Sequence, residues 1–227
     1  MKILSIDTSA LAASVAVTFG SRVVCEFTLN DKINHSVTVM PLISQALAAI
    51  NTSVSEMDYI ACANGPGSFT GLRIGASVAK ALAHATGKKI VPVSTLRALA
   101  YNVLTEGKII IPIMDAKRDQ VYTSAFEYAG GELKALLPDR ADDLQNVIDL
   151  ASKYSKPVIF VGCGCEVYHD EISGFEIALA NCNLARASSV GLAAIETIRK
   201  GKYVNYNEFG INYARKPQAE RELEQKS

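Results

Sequence analysis

A chain of 227 residues with 49% hydrophobic and 20% charged side chains has a globular balance and room for one large domain or two modest ones. Its 23 basic and 23 acidic side chains cancel, which leaves no broad positive field and argues against tight nucleic-acid binding by the chain alone. Five scattered cysteines without a C-x-x-C pair, a start that enters a strand at once, and no charge-free apolar run of ~18 residues predict a cytoplasmic protein with reduced thiols and no membrane span.

Residues 2–6 read as a short apolar strand ending in Asp7-Thr8-Ser9, residues 11–17 as its returning partner, and 23–29 as a third strand. The first turn of this meander carries an acid and two hydroxyls. Asp7, at the carboxyl end of a strand, can hold a metal-bound water or hydrogen-bond its own turn. The spacing then predicts a helix over 35–50, with Val39, Leu42, Ile43, Ala46, Leu47 and Ile50 on one face and Pro41 starting or kinking it.

A strand over 57–63 delivers the chain into Asn64-Gly65-Pro66-Gly67-Ser68-Phe69-Thr70-Gly71-Leu72-Arg73-Ile74-Gly75. The Gly-Pro-Gly start is a tight turn, Ser68 or Thr70 can cap a helix, and the following helix is small and aliphatic on nearly every face. Leu72, Gly75, Ala76, Ala79, Leu82 and Ala83 share one stripe, and Gly71, Gly75 and Ala79 recur every four residues as a smooth groove. That groove fits either an internal helix pair or a helix packed against another chain. A Walker loop is excluded, because Leu72 and Arg73 follow Gly71 where Lys and Ser/Thr are required, and the dinucleotide fingerprint fails at Thr70.

A stop at Gly87, a strand over 90–93 and a helix from Ser94 or Thr95 to about Leu104 complete a first unit, 1–106. From Lys108 the pattern begins again: a strand over 108–114 ends in Asp115, residues 121–126 return, and a hairpin at Gly130-Gly131 leads to a strand over 132–137. A helix over 142–154, a strand over 157–161 running into Gly162-Cys163-Gly164-Cys165, and a helix over 190–200 follow. The Gly162–Gly164 loop can admit a ligand or simply turn from strand to helix. The second unit, 107–215, closes in a tyrosine-rich segment, and the charged stretch 216–227 is expected to fray.

No acid–base pair, nucleophile or metal set rises above background. His35, His84 and His169 lie apart, Val39 stands one turn after His35 where a second ligand would be needed, and Cys163, Cys165 and His169 lack a fourth ligand.

Three stretches, Ile3-Leu4-Ser5-Ile6-Asp7-Thr8-Ser9, the Gly-Pro-Gly-Ser-Phe-Thr-Gly-Leu-Arg run and Met114-Asp115-Ala116-Lys117-Arg118-Asp119-Gln120-Val121-Tyr122, together resemble the TsaB (YeaZ) family in order and over nearly the whole length. The resemblance implies an α/β, two-lobed fold of the actin/hexokinase/heat-shock-chaperone ATPase (ribonuclease H-like) class, with a duplicated meander plus helices. It implies an accessory subunit, not itself an enzyme, for making threonylcarbamoyladenosine beside the tRNA anticodon. Its partners would be the related catalytic subunit TsaD, the ATPase TsaE and a second copy of itself, with tRNA reached through the complex. Val39 in place of the second metal-binding histidine of TsaD agrees with a non-catalytic paralogue. Leu42, Gly71, Leu72, Gly75, Ala76, Ala79 and Leu82 are then expected at the partner interface.

No cofactor is required by the chain, although ATP or ADP at the interface with partners fits the class. The alternative is a stand-alone ATPase or phosphotransferase using Asp7, Thr8, Ser9, Asp115, Gly162 and Gly164 around a nucleotide. A metal-dependent glycopeptidase fits least, since the ligands are missing.

Overall fold

A computed structural model describes residues 1–31 and 34–214; the expectation for the charged tail falls outside them. Strands β1 (Lys2–Asp7), β2 (Ala13–Phe19) and β3 (Arg22–Leu29) form the first meander. Helix α1 (His35–Ala49) follows, carrying Pro41 in its interior and capped by the Asn34 side chain, which accepts from the Ser36 amide. β4 (Tyr59–Ala63), α2 (Phe69–Thr86), β5 (Lys89–Val93) and α3 (Thr95–Ala100) complete the first half. The caps obey local chemistry. Ser68 Oγ accepts from the Gly71 amide, Ser94 Oγ from the Arg97 amide, and α2 stops at Gly87 in the left-handed region.

The second half repeats the plan with β6 (Ile109–Asp115), β7 (Gln120–Ala129), β8 (Glu132–Asp143), α4 (Leu144–Ala151), β9 (Val158–Val161), the short α5 (Gly164–Val167) and β10 (Glu176–Ile177). The sheets run β3-β2-β1-β4-β5 and β8-β7-β6-β9-β10. Each has the same order, two antiparallel pairings and then two parallel ones. Parallel pairing needs a crossover, which α1 supplies between β3 and β4 and α4 between β8 and β9. The first strand of each sheet ends on an aspartate, Asp7 and Asp115, so both acids sit at corresponding strand ends.

The last helix, α6 (Ala187–Arg199), leaves the second half and packs on β1, β2 and β5 of the first sheet. Val190, Ala193 and Ala194 lie there among Ile3, Ala61, Val91 and Val93. Its N-terminus has no cap from its own residue; Glu26 on β3 accepts from the Ser188 amide at 2.8 Å and Ser14 on β2 from the Ala187 amide at 2.9 Å. Arg186 binds the same Glu26 carboxylate through Nε and Nη2. The chain then bridges the edge of β5 at Val204. On the opposite face α1 and α2 bury Val39, Ile43, Ala46, Ala76, Ala79 and Ala83 with Leu4, Ile6, Val15 and Ile60.

Candidate functional site

Between the two sheets lies a cleft of 840 Å³, bounded by Ser9, His35, Ser68 and Thr70 on one side and Asp115, Lys117 and Glu166 on the other. Of the expected nucleotide-facing residues, Ser9 and Asp115 border it, beside the amino end of α2; Asp7, Thr8, Gly162 and Gly164 do not.

Asp7 is enclosed. Its Oδ1 accepts from the Ser9 amide at 2.9 Å and from Ser9 Oγ at 2.6 Å, closing its own turn. Burial pushes its carboxyl above the usual range, and the two Ser9 bonds do not offset that. Thr8 Oγ1 donates to the Gly71 carbonyl at 2.8 Å, and the Ser9 carbonyl accepts from the Ser68 amide at 2.8 Å. The first turn is thereby stitched to the start of α2, and its polar groups are spent inside the protein.

Asp115 is more open. Its carboxylate accepts from the Lys117 amide and Nζ at 2.8 and 2.5 Å and from the Tyr168 hydroxyl at 3.1 Å. Burial pushes the carboxyl up, but these donors outweigh it and hold it below the usual range. In turn burial and the Asp115 carboxylate push the Tyr168 phenol up to about 12. The turn that follows places Lys117, Arg118 and Asp119 consecutively in the left-handed region, with φ of 64°, 60° and 57°. Three non-glycine residues there store strain, which the sequence does not announce because the stretch lacks glycine and asparagine.

The glycine loop after β9 faces inward. Gly162 has φ of 113°, and a Cβ on it would stand 2.5 Å from the Ile113 carbonyl oxygen; a Cβ on Gly164 would stand 3.0 Å from the same oxygen. The missing side chains admit β6, not a phosphate. With Asp7 enclosed and this loop filled by backbone, these residues do not fit a nucleotide-phosphate cradle.

His35 Nε2 donates to the Ala10 carbonyl at 2.8 Å, and Val39 one turn on is completely buried in the core. Among the described residues no three His, Cys, Asp or Glu side chains are grouped to hold a metal ion, and no helix is long and apolar enough to cross a membrane.

In the single chain the small-residue stripe turns inward. Gly71, Leu72, Gly75, Ala76 and Ala79 face their own chain: all are buried, and a Cβ on Gly71 or Gly75 would stand 2.0 Å from the Thr8 carbonyl oxygen or 2.4 Å from Thr8 Oγ1. Leu42 and Leu82 are partly buried and pack on the same core. Close approach is real, but it is the approach of α2 to the Asp7-Thr8-Ser9 turn. The outward surface lies on other residues, with Val37 at 64% exposure, Met40 at 43% and Phe69 at 39%. The whole of α1, His-Ser-Val-Thr-Val-Met-Pro-Leu-Ile-Ser-Gln-Ala-Leu-Ala-Ala, carries no Asp, Glu, Lys or Arg. This absence of charge is legible in the sequence, beside the small residues of α2.

Two five-stranded sheets of identical strand order, each opening on a strand–Asp–hairpin and divided by a cleft, define the two-lobed actin/hexokinase/heat-shock-chaperone ATPase architecture. The family model for TsaD, tRNA N6-adenosine threonylcarbamoyltransferase, matches residues 22–220. The tRNA threonylcarbamoyladenosine biosynthesis protein TsaB of Bacillus subtilis is 37% identical over 162 residues, 71% of each chain. The Escherichia coli TsaB is 28% identical over 90% of each chain. YeaZ from Pseudomonas aeruginosa superposes with a TM-score of 0.82 over 93% of this chain and 99% of its own, at 24% identity. The chain belongs to the TsaB (YeaZ) family.

Proposed function

We propose that this protein is an accessory, non-catalytic subunit in the synthesis of threonylcarbamoyladenosine in tRNA, and that it works by pairing with a TsaD-type catalytic chain through the outer face of α1. The relatives named for that pathway support the process. The observation that carries the mode of action is the uncharged surface of α1. A solvent-facing helix normally alternates an apolar stripe with charged residues. Here Val37, Met40, Ser44 and Ala48 follow one another along an exposed, uncharged ridge, as at a surface that is covered in its working state.

The absence of transferase chemistry in the proposal rests on the same geometry. Asp7 is consumed by its own turn, Val39 is a core residue, and the loop after β9 is filled by β6. The TsaE contact and self-association expected from the family would use the same ridge or the cleft border. Met40→Glu with Ala48→Glu places two carboxylates on the ridge without touching the core. The double variant should melt as the wild type does, fail to co-elute with TsaD, and fail to restore threonylcarbamoyladenosine in tRNA of depleted cells. A folded variant that still co-elutes refutes the proposal.

A further inference from the structure

We propose that the groove between α2 and the segment 205–213 is a contact for the phosphodiester backbone of an RNA strand, a reading that rests on the tRNA-modifying role proposed above. Arg73, Ser77, Lys80 and His84 recur at i, i+4, i+7 and i+11 and form one outward stripe of α2. Arg73 and Lys80 are seven residues apart, about 10 Å along the axis. The segment after α6 runs beside this stripe, held by the Ile90 and Val204 bridge and by the Asn212 amide donating to the Asn64 carbonyl at 2.7 Å.

A cavity of 320 Å³ lies between them, with Arg73, Ser77 and Lys80 on one wall, Tyr213 on the other and Phe209 beneath. Aromatic groups close both ends. At one, the Tyr213 ring is 5.3 Å from Phe69, the Arg73 guanidinium lies 3.8 Å from the Phe69 centroid, and Arg73 Nε donates to the Tyr213 hydroxyl at 3.1 Å. At the other, His84 and Tyr206 are 4.4 Å apart.

The charge of this groove is one-sided. Among the described residues no carboxylate lines its cavity, Glu208 of the same segment being engaged with the Asn205 amide, although acidic and basic residues balance over the whole chain. Among the described residues Lys80 is half-buried and has neither an ion-pair nor a hydrogen-bond partner. A cation in that setting is short of an anion, and the flanking tyrosines, about two-fifths exposed, offer ring faces on which an unpaired base can stack. Cations in line with flat aromatic faces match a repeating anion that carries flat groups. Two such contacts are too few to hold RNA alone, so the groove adds to binding by the assembled complex.

The test is a titration of unmodified tRNA against this protein assembled with its catalytic partner, across a salt series, for the wild type, Lys80→Gln and Arg73→Gln/Lys80→Gln. The double variant should bind about tenfold more weakly, and the slope of log affinity against log salt should fall by about 1 per cation removed. An intact complex with unchanged affinity and slope overturns the proposal. So does a folded double variant that no longer assembles, which assigns the stripe to a protein contact. If the wild type itself fails to assemble with TsaD, the accessory-subunit reading falls. The groove then falls with the reading it rests on, whereas unchanged affinity and slope in an intact complex overturn the groove alone.

Discussion

Replacing Gly75 with alanine should destabilise the protein, against the intrinsic preference of a helix interior. Helix propensity alone favours alanine by about 1 kcal/mol. At Gly75, however, the new methyl would stand 2.4 Å from Thr8 Oγ1 and 3.7 Å from Cys62 Sγ, in a completely packed layer. Thr8 is β-branched and its hydroxyl is engaged with the Gly71 carbonyl, so it can make room only by changing rotamer and giving up that bond. Overpacking costs about 1–3 kcal/mol, and a buried polar group left unpaired about 1–3 more. The net is a loss of about 1–5 kcal/mol, which at a centre near 3 lowers the melting temperature by about 6–12 °C in a chain of this size. Urea denaturation of Gly75→Ala, Thr8→Ala and the double variant measures it. Thr8→Ala removes the obstructing oxygen for about 1 kcal/mol, so the double variant should be more stable than the sum of the singles by about 1–2 kcal/mol. A Gly75→Ala protein as stable as the wild type, or additive singles, refutes the packing argument and reopens the reading of Gly75 as an intermolecular contact.

Two further outcomes follow from the aspartates. Asp7 has a raised carboxyl pKa when folded, so between its unfolded value of about 3.9 and that raised value the native state binds the extra proton and stability falls as pH rises. Asp7→Asn keeps the Oδ1 acceptor for Ser9 and should flatten this dependence; denaturation midpoints should place it at or above the wild type at pH 7, with the gap reversing or closing toward pH 4. In Asp115→Asn the Tyr168 phenol should titrate below its present value of about 12, because the Asp115 charge that helps raise it is gone while burial and the Asp119 and Glu171 carboxylates remain, and absorbance of tyrosinate at alkaline pH reads the change.

Much of the architecture was legible because it is written twice. An apolar strand ending in aspartate, followed by a returning strand, occurs at 2–19 and at 109–129, and alternation plus turn chemistry suffices to read both. Ser68 and Ser94 announce their helices for the same local reason. The facing of α2 was not legible. Small residues every four positions state that something comes close, and the turn of the same chain makes the same demand as a second molecule would. Nor could local sequence supply the cap of α6, whose acceptors come from Glu26 and Ser14, about 160 and 170 residues earlier. The outer surface of α1 was readable, had absence of charge been weighed beside presence of glycine.

The return of α6 to the first sheet has a consequence for how the chain is made. β5 ends at Val93 and α6 at Arg199, a span of 106 residues. At about 5–20 residues per second of synthesis, the first sheet is finished roughly 5–20 s before the helix that covers one of its faces exists. For that interval Ile3, Ala61, Val91 and Val93 lack the cover that Val190, Ala193 and Ala194 later give. The nascent chain therefore carries this apolar face uncovered, and the first sheet completes its packing only once residues 187–199 have been translated.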